Sequence, residues 1–348
     1  MSYLSSQYVQ CETIQSMLDE QFVLSNAALD PMPVLEAIIA TQQANGISQS
    51  VSDGSGKVKT VKLVYENRLL ESAVTDSSGA RTCTTTTETF DNYATYSIDP
   101  TVWLKAEEKF DTVDLATVCT TDVQQMIAKK INKIIDVLDR KVATQTAEEL
   151  VGLTGKWNSN VTGVNGSDEL QIATFISAAA KTIDPTGISS LDIALMQTGY
   201  NVPIIVGGTT LYAYQKHLNA GCCSTTGVNV LDLYNQFGKA FLYDKRIVTA
   251  LGGDYNKSMV FNAGAVALIT YNEAPQVAQL GANYAKMRVN SPRTGIAYDI
   301  VMSDNCGTIS VLGYANTKLV GLPTDMFAVG DEYRGVTFVN KIKVVNPN

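Results

Sequence analysis

Side chains able to do covalent or metal chemistry are few in this chain. It has one histidine, His217, and six cysteines, Cys11, Cys83, Cys119, Cys222, Cys223 and Cys306. A thiolate activated by an imidazole is a nucleophile, and a helix ending near Asn219-Ala-Gly221 would put His217 about one turn from Cys222. No orienting carboxylate or amide follows in a recognisable motif, so His217 reads as a lone helix-face histidine. No two cysteines have the Cys-x-x-Cys spacing, and six in 348 residues are too sparse for a disulfide scaffold. They read as buried reduced thiols. With one imidazole available, a zinc shell would need carboxylates to complete it, which argues against that metal.

Three glycine-rich turns have the flavour of phosphate loops. Val206-Gly-Gly-Thr-Thr210 runs from a strand into a helix but lacks the G-x-G-x-x-G spacing, so it reads as a tight turn. Gly252-Gly-Asp-Tyr-Asn-Lys-Ser258 has Asn256 where a Walker A loop needs the glycine that lets the backbone wrap the phosphates. Asp53-Gly-Ser-Gly-Lys57 is followed by a strand, the wrong context. Asn160, Asn165 and Asn256 begin glycosylation-type triplets that read as chance matches. No pair of acid–base carboxylates stands out among 34 acidic residues. No cofactor is implied.

Composition points to surfaces rather than to catalysis. Charged residues make up 17%, against a usual value of about 25%, while apolar residues reach an ordinary 45%. Ser, Thr, Asn, Gln and Gly replace the missing charge, which suits broad polar contacts. The net charge of −8 argues against a dedicated nucleic-acid binder, which needs clustered Lys and Arg. No apolar run reaches the length of a membrane span. Met1-Ser-Tyr-Leu-Ser-Ser carries neither a basic nor an apolar stretch, so no secretory leader is expected.

The elements are legible from periodicity. Residues 1–50 hold two short helical patterns, Met17 to Val23 and Val34 to Ile39, punctuated by Pro31 and Pro33, and read as an arm. Lys57–Leu70, with Val61, Leu63 and Tyr65 on one face, and the Thr-rich Thr82–Ile98 read as a long hairpin turning near Asp76-Ser-Ser-Gly79. Two strands alone are marginal, so this hairpin needs a partner surface in its own chain or a neighbour's. Val123, Ile127, Ile131, Ile134, Ile135, Leu138 and Val142 recur at helical spacing and predict a helix over 121–150. Thr121 and Gln124 have capping-box spacing at its start, and Gly152 stops it. Lys129, Lys133, Asp136 and Arg140 lie about 180–240° around the helix from Ile127, on its outer face.

Ser167 or Asp168 is expected to cap a further helix through Phe175 and Ile176 to Lys181. An α/β unit follows. Strands are expected at 202–206, 240–243, 246–249 and 258–261, a helix around Leu211, Tyr214 and Leu218, and an apolar helix or strand at 263–271. Tyr284 to Ser303 alternates, with Ile296, Tyr298, Ile300 and Met302 on one face. Asp304-Asn-Cys-Gly307 turns it into 308–320 as a second long hairpin, and 335–345 is a closing strand.

That order resembles the major capsid proteins of tailed bacteriophages, the Hong Kong 97-type shell fold. Thr121–Leu150 looks like the family's spine helix, and Lys57–Ile98 sits where its extended loop lies. Val202 to Tyr212 looks like the entry to its axial domain, and Gly238–Lys245 with Ser258–Val266 like later strands of that domain. The resemblance implies an α+β fold with an N-terminal arm (1–52), an extended hairpin loop (53–105) and a peripheral domain with the spine helix (106–195). It further implies an axial domain (196–283), a peripheral-domain hairpin (284–322) and a closing strand (323–348). It implies a structural virion protein, not an enzyme, that self-assembles as a homo-oligomer of hexamers and pentamers into an icosahedral head. That head would enclose double-stranded DNA without sequence-specific binding. Portal, scaffold or decoration proteins are the implied partners, with no membrane and with synthesis in the bacterial host cytoplasm. No scaffolding segment is evident, which leaves a separate scaffold or a cleaved precursor open. The expected subunit contact joins Lys129, Lys133 and Arg140 to Glu66, Glu71 and Asp76 of a neighbour's hairpin. Two alternatives stand beside this reading: another self-assembling virion or encapsulating shell protein, and a hydrolase using His217 with Cys222 or Cys223.

Overall fold

The computed structural model describes residues 16, 18, 30–44, 47–52, 59–66, 91–111, 120–157, 169–173, 175–177, 182–183, 186–208, 211, 240–274, 279–280, 284–305, 308–322 and 338–345. Helix α1 is Pro33–Ala44. Strands β1 (Ser48–Ser52), β2 (Lys59–Glu66), β3 (Asp91–Ile98) and β4 (Leu104–Asp111) lead to the long helix α2, Thr120–Gly152. Then come β5 (Glu169–Ala173), β6 (Phe175–Ser177), β7 (Thr182–Ile183), α3 (Thr186–Thr198), β8 (Pro203–Gly207), β9 (Ala240–Tyr243) and α4 (Lys245–Ala250). The chain continues through β10 (Lys257–Asn262), β11 (Val266–Thr270), β12 (Gln279–Leu280), β13 (Tyr284–Asn290), β14 (Ala297–Asn305), β15 (Thr308–Ala315), β16 (Thr317–Gly321) and β17 (Val339–Val345).

Helix α2 has 33 residues, roughly 50 Å at 1.5 Å per residue. It begins one residue before Thr121, which therefore lies inside it. Its apolar stripe is buried as its spacing predicts: Ile127, Ile131, Ile134, Ile135, Leu138 and Val142 are all at most 2% exposed. The stripe lies on the antiparallel sheet β12-β13-β14-β15-β4. Alternate residues of that sheet meet it: Ala285, Met287 and Val289 from β13, Tyr298, Ile300 and Met302 from β14, Ile309 and Val311 from β15. Each fully buried aliphatic side chain here stabilises the fold by roughly 1.5–3 kcal/mol. The last two turns of α2, at Ala147 and Leu150, enter a second core instead.

That second core is built on the mixed sheet β5-β17-β10-β8-β9. Strand β10 runs antiparallel to β8 and β17, while β8–β9 and β17–β5 are parallel. Every residue of β8 is buried, as its unbroken apolar run predicts. Trp157 donates its indole N–H to the Lys341 carbonyl at 2.8 Å, pinning the exit of α2 to β17. The two-stranded β11-β16 spans both cores, with Leu268 in the first and Val266, Ala267 and Ile269 in the second.

The hairpin β2–β3 has the register Lys59↔Ile98 to Glu66↔Asp91, and β1 adds a third strand to it. Its base needs no neighbour. Val61, Leu63 and Ile98 are buried in the second core, and Tyr96 donates its hydroxyl to the Gly321 carbonyl at 2.7 Å. The turn near 76–79 lies outside the described residues, as do Tyr214 and Leu218.

Four expectations fail. Residues 169–173 and 175–177 are strands, not a capped helix: Leu170 and Ile172 alternate with Glu169 and Gln171, a period of two, and β5 pairs with β17. Residues 246–249 are helical despite their β-branched run. Asp244 caps α4 by accepting the Arg246 N–H at 2.9 Å, which supplies the start signal that the run itself lacks. The alternation over 284–303 is two strands, separated by a turn in which Gly295 has φ +71°. The 308–320 strand breaks at Asn316, whose side chain donates to the Asp99 carbonyl at 2.7 Å; β15 and β16 join different sheets.

Helix α2 presses most closely on β15 at Gly313. A Cβ there would stand 2.3 Å from Cγ2 of Ile134 and 3.0 Å from Cδ1 of Leu138. Gly313→Ala is therefore expected to destabilise by about 1–3 kcal/mol through overpacking, measured as a lowered denaturation midpoint with unchanged slope. A midpoint equal to the parent's would mean that the helix rides higher on the sheet than described here.

Candidate functional site

The chemistry-bearing residues do not gather into a described site. His217 and all six cysteines lie outside the described residues, and no cluster of metal-ligating side chains occurs among the described ones. The glycines of the turns at 206–210 and 252–258 serve packing, and the turn at 53–57 lies outside the described residues. A Cβ on Gly208 would fall 1.9 Å from the Tyr255 carbonyl oxygen, and the Gly208 N–H donates to the Lys257 carbonyl at 3.0 Å. Only glycine lets these backbones approach so closely. Gly252 and Gly253, at φ +83° and +80°, close the end of α4 by donating to the Thr249 and Val248 carbonyls. Lys257, the Walker-like lysine, lies in β10 and pairs with Glu169 at 2.9 Å.

The outer stripe of α2 is built as its spacing predicts. Lys129, Lys133 and Arg140 are exposed, on the face opposite the buried stripe. Within the chain, Lys133 and Lys130 both hold Glu108 of β4, the latter at 3.1 Å, and Arg140 pairs with Asp136 one turn back at 2.8 Å. The hydrogen bond from Lys133, followed by that from Lys130, lowers the Glu108 carboxyl below its ordinary range. Such exposed pairs contribute only about 0.2–1 kcal/mol each. Glu66 ends β2, while Glu71 and Asp76 lie outside the described residues. Lys133 thus meets an acid of β4, one that the hairpin reading had not named.

One polar cluster escaped the sequence reading. Asp139 of α2 is 2% exposed and accepts from Ser291 Oγ at 2.6 Å, Thr294 Oγ1 at 3.0 Å and the Tyr298 hydroxyl at 2.6 Å. It pins the 291–296 turn against the helix. The legible signal was an acid directly beside Leu138 of the apolar stripe. Desolvation outweighs the three hydrogen bonds and raises the Asp139 carboxyl above its ordinary 3.8. Burial, then the Asp139 charge, push Tyr298 well above the usual phenol value.

No family model and no curated protein matches the chain. Solved structures do match. The capsid of the cyanophage P-SCSP1u aligns at 13% identity over 85% of each chain, with a TM-score of 0.37. The capsid of Staphylococcus phage Andhra aligns at 9% identity over 85% of this chain and 82% of that one, with a TM-score of 0.35. A virus-like particle from Pyrococcus furiosus aligns at 9% identity over 95% of this chain and 98% of that one, also at 0.35. The chain is similar to phage capsid structures.

The raised Asp139 carboxyl fixes the sign of a pH effect. Its charged form is disfavoured in the fold, so its contribution to stability is complete below pH 3.8 and is lost as the pH rises through the raised folded value. Asp139→Asn stays neutral throughout. The parent's stability relative to this variant is expected to fall as the pH rises from 4 towards neutrality, measured by denaturant unfolding. A difference constant across that window would mean that desolvation and the hydrogen bonds cancel, and one that rises with pH would mean that the hydrogen bonds dominate.

Proposed function

We propose that this protein is a major capsid protein of the Hong Kong 97-type shell fold. It is the structural subunit that self-assembles into the icosahedral head of a tailed bacteriophage around double-stranded DNA. The observation that carries this reading is an arrangement within one chain. The 33-residue helix α2 lies along a five-stranded antiparallel sheet, ends in a second core on a mixed sheet, and is accompanied by a separate hairpin sheet. On this reading, α2 and β12-β13-β14-β15-β4 form the peripheral domain. The mixed sheet is the axial domain, extended by the strands at 169–173 and 339–345. Residues 1–52 are the arm and 53–105 the extended loop.

The net charge of −8 supports a container that encloses DNA without a sequence-specific grip. Among the described residues no helix is long and apolar enough to cross a membrane. Pentamers and hexamers of the chain tile the shell, with portal, scaffold or decoration proteins as partners and assembly in the host cytoplasm. Neighbours meet where the exposed Lys129, Lys133 and Arg140 face Glu66, Glu71 and Asp76 of the next subunit's hairpin. Each pair is weak, but a shell repeats it in every subunit.

Light scattering and electron microscopy of the purified protein test the assembly. Closed shells are expected; a monodisperse monomer at every protein and salt concentration, with or without co-expressed scaffold, overturns the reading. For the contact, Lys133→Glu with Arg140→Glu is expected to raise the critical assembly concentration severalfold at low salt, with high salt narrowing the difference. Glu108→Gln controls for the pair that Lys133 makes within its own chain. If the double variant assembles like the parent at low salt, the stripe is merely solvated.

A further inference from the structure

Apart from the β1–β2 ladder, residues 30–44 and 47–52 are held largely by side chains, and they reach both cores, α4, the β13–β14 turn and β11. At its start, Asp30 is clamped from two sides. Arg246 Nη2 meets its carboxylate at 2.5 Å, Lys245 Nζ meets it at 3.2 Å, and Arg293 Nη1 donates to its backbone carbonyl at 2.8 Å. Arg246 also donates to the Pro31 carbonyl at 2.9 Å, and Arg293 pairs with Glu36 at 2.8 Å. Arg246 and Lys245 belong to α4 beside the mixed sheet, whereas Arg293 belongs to the turn between β13 and β14. Asp244 serves two helices at once. It caps α4 and also accepts the backbone N–H of Val34 in the first turn of α1.

Helix α1 is a wedge between the cores. Met32 and Leu35 are buried in the core under α2, and Val34 and Ile38 in the other. Farther along, two glutamines grip alternate residues of β11. Gln42 accepts the Leu268 N–H at 3.0 Å and donates to the Leu268 carbonyl; Gln49 accepts the Thr270 N–H at 3.1 Å and donates to the Thr270 carbonyl. Each carboxamide occupies the positions that a neighbouring strand would use, so the edge of the two-stranded β11-β16 is closed by side chains. Gln49 itself lies in β1, whose ladder is with β2 of the hairpin sheet.

We propose that residues 30–52 act as one strap that couples an ionic latch at Asp30 to the hairpin sheet, so that loosening the latch frees the hairpin. Among the described residues the strap has no ladder to either five-stranded sheet; its one ladder is to the hairpin. Lifting it therefore breaks no strand pairing of those sheets, although it withdraws Met32, Val34, Leu35 and Ile38 from the cores, and β1 must move with it because α1 and β1 are separated by three residues, 45–47. The latch is made of charges, several of them solvent-facing, and so weakens with salt. A buried guanidinium at Arg246 opposes release, since lifting the strap leaves it with Asp244 alone, 3.5 Å away. This coupling does not depend on the shell reading above.

Hydrogen exchange by mass spectrometry on the full chain, in an unassembled state at low and high salt, tests it. Asp30→Asn with Glu36→Gln is expected to accelerate exchange at least tenfold in α1 and also in β1 and β2, while β13, β14 and β15 keep the parent's protection. One molar salt is expected to move the parent in the same direction. Faster exchange in α1 with β1 and β2 unchanged overturns the coupling. An equal rise in all sheets overturns it too, since the strap would then be released only by global unfolding. If the latch variant does not fold, Gln42→Met with Gln49→Met gives the second reading: hairpin exchange must rise while α1 stays anchored at Asp30, and an unchanged hairpin overturns the proposal.

Discussion

Burial of one face of α2 against a five-stranded sheet is the constraint from which the rest of this structure follows. The helix offers β-branched and leucine side chains along most of its length, and the sheet offers a matching row at every second residue. Gly313 lies in that row, between Val311 and Ala315, and its missing side chain is what lets Ile134 reach the sheet. Once the helix is seated, its opposite face is exposed by geometry. The charged stripe is therefore a consequence of the core, and its availability to a neighbour costs the fold little.

The helix is longer than the sheet it covers, and this shapes the second half of the molecule. Its last turns pass into another core, where Tyr200 meets Trp157 in a tilted contact at a centroid distance of 6.1 Å and Phe338 edge-on at 5.5 Å. Glu149 bridges the transition. It accepts the Leu319 N–H at 2.6 Å and a hydrogen bond from Gln145 at 2.9 Å, tying the end of the helix to β16. Polar side chains do similar work throughout. Asp299 accepts the N–H groups of Glu273 and Ala274, and Asn316 ends one strand and starts another. Buried backbone groups outside ladders must find partners, and here side chains supply many of them.

The charge and amide contacts of residues 30–52 are of the same kind, but they join separate bodies rather than one loop to its own sheet. Apolar burial alone would leave the wedge helix free to slide, because dispersion and desolvation have little directional preference. Directed bonds from Arg246, Arg293, Gln42 and Gln49 give it one position. The hairpin sheet is tied to that position through β1, in addition to its own buried Val61, Leu63 and Ile98.

Much of this was legible before folding. A stripe with a period near 3.6 residues determined α2 and its outer charges, because a helix this long and amphipathic has one way to bury its apolar face. The run 203–207 declared a buried strand, and the alternation of Val61 and Leu63 declared the face the hairpin buries. What the sequence left open were the elements decided by partners far along the chain. Residues 169–173 are a strand because β17, some 170 residues later, offers a parallel edge. Residues 246–249 are helical because Asp244 caps them while also capping α1. Asp139, Asp30, Gln42 and Gln49 look like ordinary polar residues until the fold brings Ser291, Arg246 and the edge of β11 to them. Local periodicity encodes which face of a segment is apolar; only the tertiary structure decides which distant backbone or charge a polar side chain must satisfy.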